Sequence, residues 1–272
     1  MRKVILITNN DFAGTLFLNR LIKHKIEIEG VYLVSALRGN FKERLQRALA
    51  LCATRSMIFL WYKTVVERLL FKFLSVDEKT IKSIKRLCRE RHIPCERIHN
   101  VDDERFIDKI KCAKDALVLS AYGSQKFSEA LVSAAQAFWN VHGSYLPYYR
   151  GAASYFWMLM NDGDPRGVTI HEVGKQLDSG AVITQRVINP NWNESLYSYH
   201  ARCVLEAADL FVRAFEKYLD AQAGKIEFSP SRSSEKMGIA GLPKGRDVRE
   251  FKKRGKHFFY WNDFNQIKGH LN

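Results

Sequence analysis

The chain has 272 residues, 46% of them hydrophobic, which suits one larger domain with a small appendage better than two equal domains. A formal net charge of +14 points to anionic partners and excludes none of them by itself. The five cysteines, Cys52, Cys88, Cys95, Cys112 and Cys203, are scattered, odd in number and free of any CxxC pair. They argue for reduced thiols in a cytoplasm and against a zinc site.

The chain opens Met1-Arg2-Lys3-Val4-Ile5-Leu6-Ile7-Thr8, basic but with an apolar run only a strand in length. It reads as neither a signal peptide nor a membrane span. Residues 3 to 8 are expected as a buried strand, 12 to 25 as a helix with apolar Phe12, Leu16, Phe17 and Ile22, and 28 to 35 as a second strand. That rhythm predicts a parallel, right-handed α/β unit. The turn Asn9-Asn10-Asp11-Phe12-Ala13-Gly14 falls at the carboxyl end of a strand, where such sheets bind ligands. It lacks the paired early glycines of a dinucleotide loop. Asn9, Asn10 and Asp11 are candidates for substrate contact, with helix capping as the alternative.

Residues 37 to 75 read as a helical insertion, with helices at 41 to 51 and 57 to 74. In the second, Lys63, Glu67, Arg68 and Lys72 share roughly one side, against a wide apolar face of Ile58, Phe59, Trp61, Tyr62, Val65, Val66, Leu69, Leu70 and Phe73. Such a face packs on its own domain or a second subunit, or lies on a membrane surface. A helix over 77 to 91 leads to a short strand at Ile93-Pro94-Cys95, and a helix over 103 to 112 to an apolar strand over 116 to 120. That strand opens into Ala121-Tyr122-Gly123-Ser124-Gln125-Lys126-Phe127, by itself an ordinary strand-to-helix turn.

Ala137-Phe138-Trp139 then ends a further buried strand and delivers Asn140, His142 and Ser144. Alternate residues of an extended chain face the same way, so Asn140 and His142 project from one side. Polar groups held there are costly unless they meet a ligand or each other. Pro147 and Gly151 bracket a turn back over them. A helix over 155 to 161 and a turn at Asp162-Gly163-Asp164-Pro165 precede the alternating strand Gly167-Val168-Thr169-Ile170-His171-Glu172-Val173. The loop Gly174-Lys175-Gln176-Leu177-Asp178-Ser179-Gly180 carries one carboxylate. With a helix and a returning strand in between, Asp178 can come back beside His142. Alone, His142 is a satisfied buried histidine and Asp178 a turn former; together with Asn140 they suggest a site. Residues 181 to 187 pair next, and a helix over 195 to 223 covers the sheet.

Residues 1 to 223 are thus expected as the catalytic domain and 224 to 272 as a basic and aromatic extension. That extension carries Arg246, Arg249, Lys252, Lys253, Arg254 and Lys256, then Phe258, Phe259, Tyr260 and Trp261. A solvated helix face with packing of the tail, a site for substrate phosphates and an anionic membrane surface all fit such a run.

Asn140-Val141-His142-Gly143-Ser144 with Leu146-Pro147 and Arg150-Gly151-Ala152-Ala153 resembles the signature around the catalytic Asn and His of the folate-dependent formyltransferases. Gly167-Val168-Thr169-Ile170 and Leu177-Asp178-Ser179-Gly180 resemble that around the family's catalytic Asp, and Ala121-Tyr122-Gly123 its pterin loop. The blocks align without a gap from Ala121 to Gly180, under a quarter of the chain. The resemblance implies a Rossmann-variant α/β fold, a mostly parallel twisted sheet flanked by helices. It implies 10-formyltetrahydrofolate as formyl donor, with Asn140, His142 and Asp178 catalytic and no metal. Residues Tyr122, Gly123, Ser124, Gln125, Lys126, Phe127 and Leu177 would receive the pterin. Ser144 and Arg150 join the candidates for substrate contact, Ser144 as a shaper of the turn rather than a nucleophile. Too little chain follows Gly224 for the β-barrel with which the methionyl-tRNA branch grips its substrate, and that branch's basic loop is missing, which counts against nucleic acid. The chain also departs from the glycine-rich phosphate loop of the glycinamide ribonucleotide branch. Among the branches of the family, the resemblance thus leads to the expectation of an amino sugar on a nucleotide as acceptor. A methionyl-tRNA-type enzyme without its C-terminal domain, or a basic nucleic-acid- or membrane-binding module on a disused enzyme fold, are the alternatives. A homodimer and a peripheral membrane contact both stay open.

Overall fold

The computed structural model describes residues 3–34, 46, 49–50, 52–53, 56–74, 81–174, 178, 180–221 and 239–271. Seven strands form one sheet: β1 (Lys3–Asn9), β2 (Glu27–Val34), β3 (Cys95–Ile98), β4 (Ala116–Ala121), β5 (Phe138–His142), β6 (Gly167–Glu172) and β7 (Val182–Val187), in spatial order β3-β2-β1-β4-β5-β6-β7. The first five are mutually parallel, and β6 and β7 are antiparallel additions. The expected mostly parallel α/β sheet is what the chain builds. The helices are α1 (Phe12–Lys23), α2 (Met57–Leu74), α3 (Ile84–Glu90), α4 (Glu104–Cys112), α5 (Glu129–Ala134), α6 (Ser154–Met160), α7 (Leu196–Ala221), α8 (Gly245–Lys253) and α9 (Asp263–Leu271).

The period-two pattern of the central strands explains the layers. Along β1, Val4 and Leu6 join one apolar cluster while Ile5 and Ile7 join a second on the opposite face. Along β4, Leu117 and Leu119 face the first and Ala116 and Val118 the second. Strands buried on both faces read as continuous apolar runs, as these do. The larger cluster takes in α1, α2, α6 and α7; the smaller is capped by α4. Arg20 and Asp209 join α1 to α7 through a two-pronged pair at 2.7 and 2.8 Å.

One local expectation is corrected. The helix expected over 77 to 91 begins only at Ile84. Asn19 holds the backbone of Lys82 on both sides, donating to its carbonyl at 2.7 Å and accepting from its N–H at 3.0 Å. Ser83 then caps the helix by accepting from the N–H of Arg86. The described residues from 239 onward also pack into the main core, where Val248, Phe251, Phe258, Ile267 and Leu271 are buried. The helix expected over 41 to 51 lies largely outside the described residues.

Candidate active site

Trp139 and Val141 of β5 point into the main core, so the alternation turns Asn140 and His142 to the other side. The antiparallel register sets Asn140 opposite His171 and His142 opposite Thr169. Cross-strand neighbours of this kind are close enough for their side chains to interact. The loop after β6 then returns so tightly that a Cβ at Gly180 would lie 1.7 Å from the carbonyl of Glu172. It carries Asp178, in a left-handed conformation with φ 51°, back over the strand ends.

Asp178 Oδ1 lies 3.6 Å from His142 Nδ1 and 3.9 Å from His171 Nε2. Its Oδ2 accepts from the N–H of Gly151 at 3.0 Å. The hydrogen-bond partners identify where the ring protons sit. His142 Nε2 is 3.2 Å from the Tyr149 carbonyl, which can only accept, so that nitrogen carries a proton and Nδ1 faces the carboxylate. His171 Nδ1 is 2.6 Å from the Glu172 carbonyl and donates for the same reason. Its Nε2 is left to accept from Asn140 Nδ2 at 3.0 Å. One amide hydrogen of Asn140 is thereby fixed on His171, and the second remains for another acceptor. Burial, aided by the nearby His142, pushes the His171 pKa down to about 4, so its ring is neutral near pH 7. His171 is the site residue that sequence reasoning missed. Its signal was there, an inward position on β6 paired with Asn140, but the antiparallel register had to be known to use it.

The turn from 144 to 151 frames this trio. Ser144 Oγ donates to the Tyr148 carbonyl at 2.6 Å, and its own carbonyl accepts from Thr169 Oγ1 at 2.8 Å. Leu146 N–H donates to Thr169 Oγ1 at 2.9 Å. Ser144 is thereby tied into the turn. Arg150 is close enough to His171 to disfavour its charged form, and its carbonyl accepts from the N–H of Ala240 at 2.7 Å. Gly151 has φ 101°, and a Cβ there would lie 2.5 Å from the Ala240 carbonyl. Only glycine fits where the C-terminal segment crosses the site turn.

The remaining candidates divide. Asn9 Oδ1 accepts from Ser124 Oγ at 3.0 Å, joining the β1 turn to the β4 loop. Asn10 is exposed. Asp11 caps α1 by accepting from the N–H of Gly14 at 3.1 Å, so its backbone role is the capping alternative. Its other oxygen meets Lys63 of α2 at 3.2 Å, and Lys63 also pairs with Glu67 at 2.9 Å. Two carboxylates share one ammonium here, and Asp11 already has a backbone donor. Burial raises the pKa of Glu67, to about 7, although Lys63 and the backbone N–H of Phe12 oppose it.

In the β4 loop, Tyr122 has φ 56° and a buried hydroxyl with no partner among the described residues. Gly123 is half-buried and Lys126 exposed. Gln125 turns inward, donating to the His99 carbonyl and accepting from the N–H of Val101. Phe127 stacks obliquely on Phe138, 4.8 Å between centroids, inside the smaller core. Its side chain is committed to packing rather than to a ligand. Among the described residues, the backbone groups of Ser124, Lys126 and Phe127 make no bond to other backbone. These donors and acceptors lie beside the carboxyl end of β4, where α/β sheets bind ligands. Leu177 lies outside the described residues. No cluster of His, Cys, Asp and Glu that could hold a metal occurs among them.

An α/β sheet that gathers an amide, an imidazole and a carboxylate at the mouth of its strands is the layout of a group-transfer enzyme working at a carbonyl carbon. The model of the Formyl transferase family matches residues 79–215, half of the chain. The chain belongs to this family, and it is a formyltransferase. In fold it is similar to a sugar N-formyltransferase from Shewanella sp, with 17% identity, 100% of this chain and 88% of that one covered, and a TM-score of 0.54. A 4-N formyltransferase from Francisella tularensis matches with 17% identity over 95% of this chain and 90% of that one, TM-score 0.56. Phosphoribosylglycinamide formyltransferase from Streptococcus pneumoniae matches with 17% identity over 80% and 99%, TM-score 0.51.

Proposed function

We propose that this formyltransferase moves a formyl group from 10-formyltetrahydrofolate to the primary amine of an amino sugar carried on a nucleotide. The observation that carries the catalytic reading is the meeting of Asp178 and His142 at 3.6 Å beside an Asn140 whose amide is fixed by His171. The sugar part rests on two of the structural neighbours, a sugar N-formyltransferase and a 4-N formyltransferase. The bound donor supplies an activated formyl carbon; the residues do the rest.

A neutral amine attacks that carbon, a carbon–nitrogen bond forms, and negative charge develops on the formyl oxygen. Donors aimed at that oxygen lower the barrier more than donors aimed at the planar ground state. The second amide hydrogen of Asn140 is available for this. The bond to the folate nitrogen then breaks, and the proton lost by the amine has to reach that nitrogen. Asp178, open toward His142 Nδ1 through Oδ1 and anchored through Oδ2 on Gly151, takes the proton up and passes it on, directly or through water. His142, held through Nε2 on the Tyr149 carbonyl, sets its Nδ1 toward Asp178 and keeps that carboxylate in place.

The test is to incubate the purified protein with 10-formyltetrahydrofolate and a panel of nucleotide-linked amino sugars, with methionyl-tRNA alongside. Formylation of at least one sugar, reduced about 10²–10⁴-fold in His142→Ala and in Asp178→Asn with circular dichroism unchanged, is the expected result. Formylation of methionyl-tRNA alone would replace the sugar. Full activity in both variants would remove the catalytic assignment.

A further inference from the structure

Helix α2 uses one face to enter the core, through Phe59, Val66, Leu70 and Leu74. A second apolar stripe, Ile58–Trp61–Val65–Leu69–Phe73, runs beside it at helical spacing. Along that stripe Ile58 is 42%, Trp61 60% and Phe73 46% exposed. The C-terminal segment extends this surface at both ends. Phe73 meets Trp261, itself 71% exposed, with ring centroids 6.2 Å apart. Toward the start of α2, Tyr62 lies beside Trp61, and the Lys252 ammonium sits 4.6 Å over the Tyr62 ring.

Among the described residues the charge around the stripe is mainly positive. Exposed cations stand at Arg68 and Lys72 on α2, at Arg249, Lys252 and Lys253 on or beside α8, and at Lys268 on α9. Among the described residues of α2 and from 244 to 271, the most open carboxylate is that of Glu250, 41% exposed and paired with Arg254. The other acids there are buried or turned inward: Glu67 pairs with Lys63, and Asp247 accepts from the N–H of Lys244.

We propose that this face docks the enzyme on an anionic phospholipid surface, with Trp61, Phe73 and Trp261 at the level of the headgroups and the cations on lipid phosphates. An amphipathic helix with aromatic and aliphatic residues on one stripe and Lys and Arg beside it has the composition that lies in a membrane interface. A second copy of the chain is the poorer occupant, because a two-fold contact would set Arg68 and Lys72 against their own counterparts. A polynucleotide would engage the cations and stack on the rings but leave Ile58 unaccounted for. No helix of the described residues is long and apolar enough to cross a membrane, so the contact is peripheral.

The test is co-sedimentation of the full chain with phosphatidylcholine vesicles, with and without phosphatidylglycerol, at low and at physiological salt, beside single-stranded RNA binding and sedimentation velocity. The expected result is binding only to the phosphatidylglycerol vesicles, weakened by salt. It should fall by about tenfold or more in Trp61→Ser/Trp261→Ser and in Arg68→Glu/Arg249→Glu, with Tm and formyl transfer unchanged. Absence of vesicle binding would overturn the proposal. So would vesicle binding indifferent to the loss of both tryptophans, RNA binding tighter than vesicle binding, or a dimer abolished by Trp61→Ser.

Discussion

Asn140 can serve a developing oxyanion only while its amide points the right way, and His171 is what points it. The neutral His171 ring offers one acceptor, Nε2, and the Glu172 carbonyl forces the proton onto Nδ1. His171→Phe removes the acceptor while keeping an aromatic ring in the space. It is expected to lower kcat about 10–100-fold with a smaller change in KM, whereas His171→Gln, whose side-chain oxygen can accept, should recover part of the loss. Steady-state kinetics on both variants checks this; equal kcat in wild type and His171→Phe would refute it. The pH dependence has a defined sign. With the folded pKa depressed to about 4 and an ordinary value of 6.5, the unfolded chain takes up a proton first as pH falls. The stability tied to neutral His171 is therefore complete above pH 6.5 and is lost as pH drops through 4. A chemical-denaturation series from pH 7 to 4 on wild type and His171→Phe should show a steeper acid limb in the wild type.

Between elements, an ion-pair bridge joins α2 to the β1 turn. Lys63 reaches both Asp11 and Glu67, and Glu67 has the raised pKa, about 7 against an ordinary 4.5. Over that interval the folded protein holds a proton that the unfolded chain has released. The contribution of Glu67 is thus full below pH 4.5 and declines as pH rises through 7. Replacing Glu67 by Gln removes that decline. The variant should gain on the wild type by on the order of 1–3 kcal/mol between pH 5 and pH 8, after allowing for its coupling to Lys63. Thermal melts at the two pH values measure it, and a difference that stays constant would show Glu67 already ionised at pH 5. The contact also alters what the β1 turn can bind. Asp11 was a candidate for substrate contact, but its carboxylate is committed to the start of α1 and to Lys63.

For the whole molecule, the question is whether the C-terminal part is an appendage. Val248, Phe251, Phe258 and Ile267 are buried in the main core, and Ala240 bonds to the turn that holds Asp178 through Gly151. Ending the chain at residue 238 would uncover those apolar contacts and release the turn. Each large apolar side chain so lost is worth about 1.5–3 kcal/mol, and several together exceed the net stability of a typical domain. The truncated chain is expected to be insoluble or without a cooperative melt, as soluble expression and calorimetry would show. A soluble, active truncation would contradict the packing.

The sequence by itself determined the central strands, the parallel α/β plan and the three polar residues at the strand ends. These depend on short-range pattern: period-two alternation in β1, β4 and β5, and motif blocks confined to the stretch from Ala121 to Gly180. Tertiary structure alone decided the rest. His171 acts on Asn140 through the register of two antiparallel strands, Asp11 meets Lys63 from beyond α1 and β2, and Ala240 reaches Gly151 from the far end of the chain. Asn19 shortens α3 by taking hold of Lys82. Each of these joins residues that no local periodicity connects, because a hydrogen bond or an ion pair depends on separation in space, and separation along the chain does not set it.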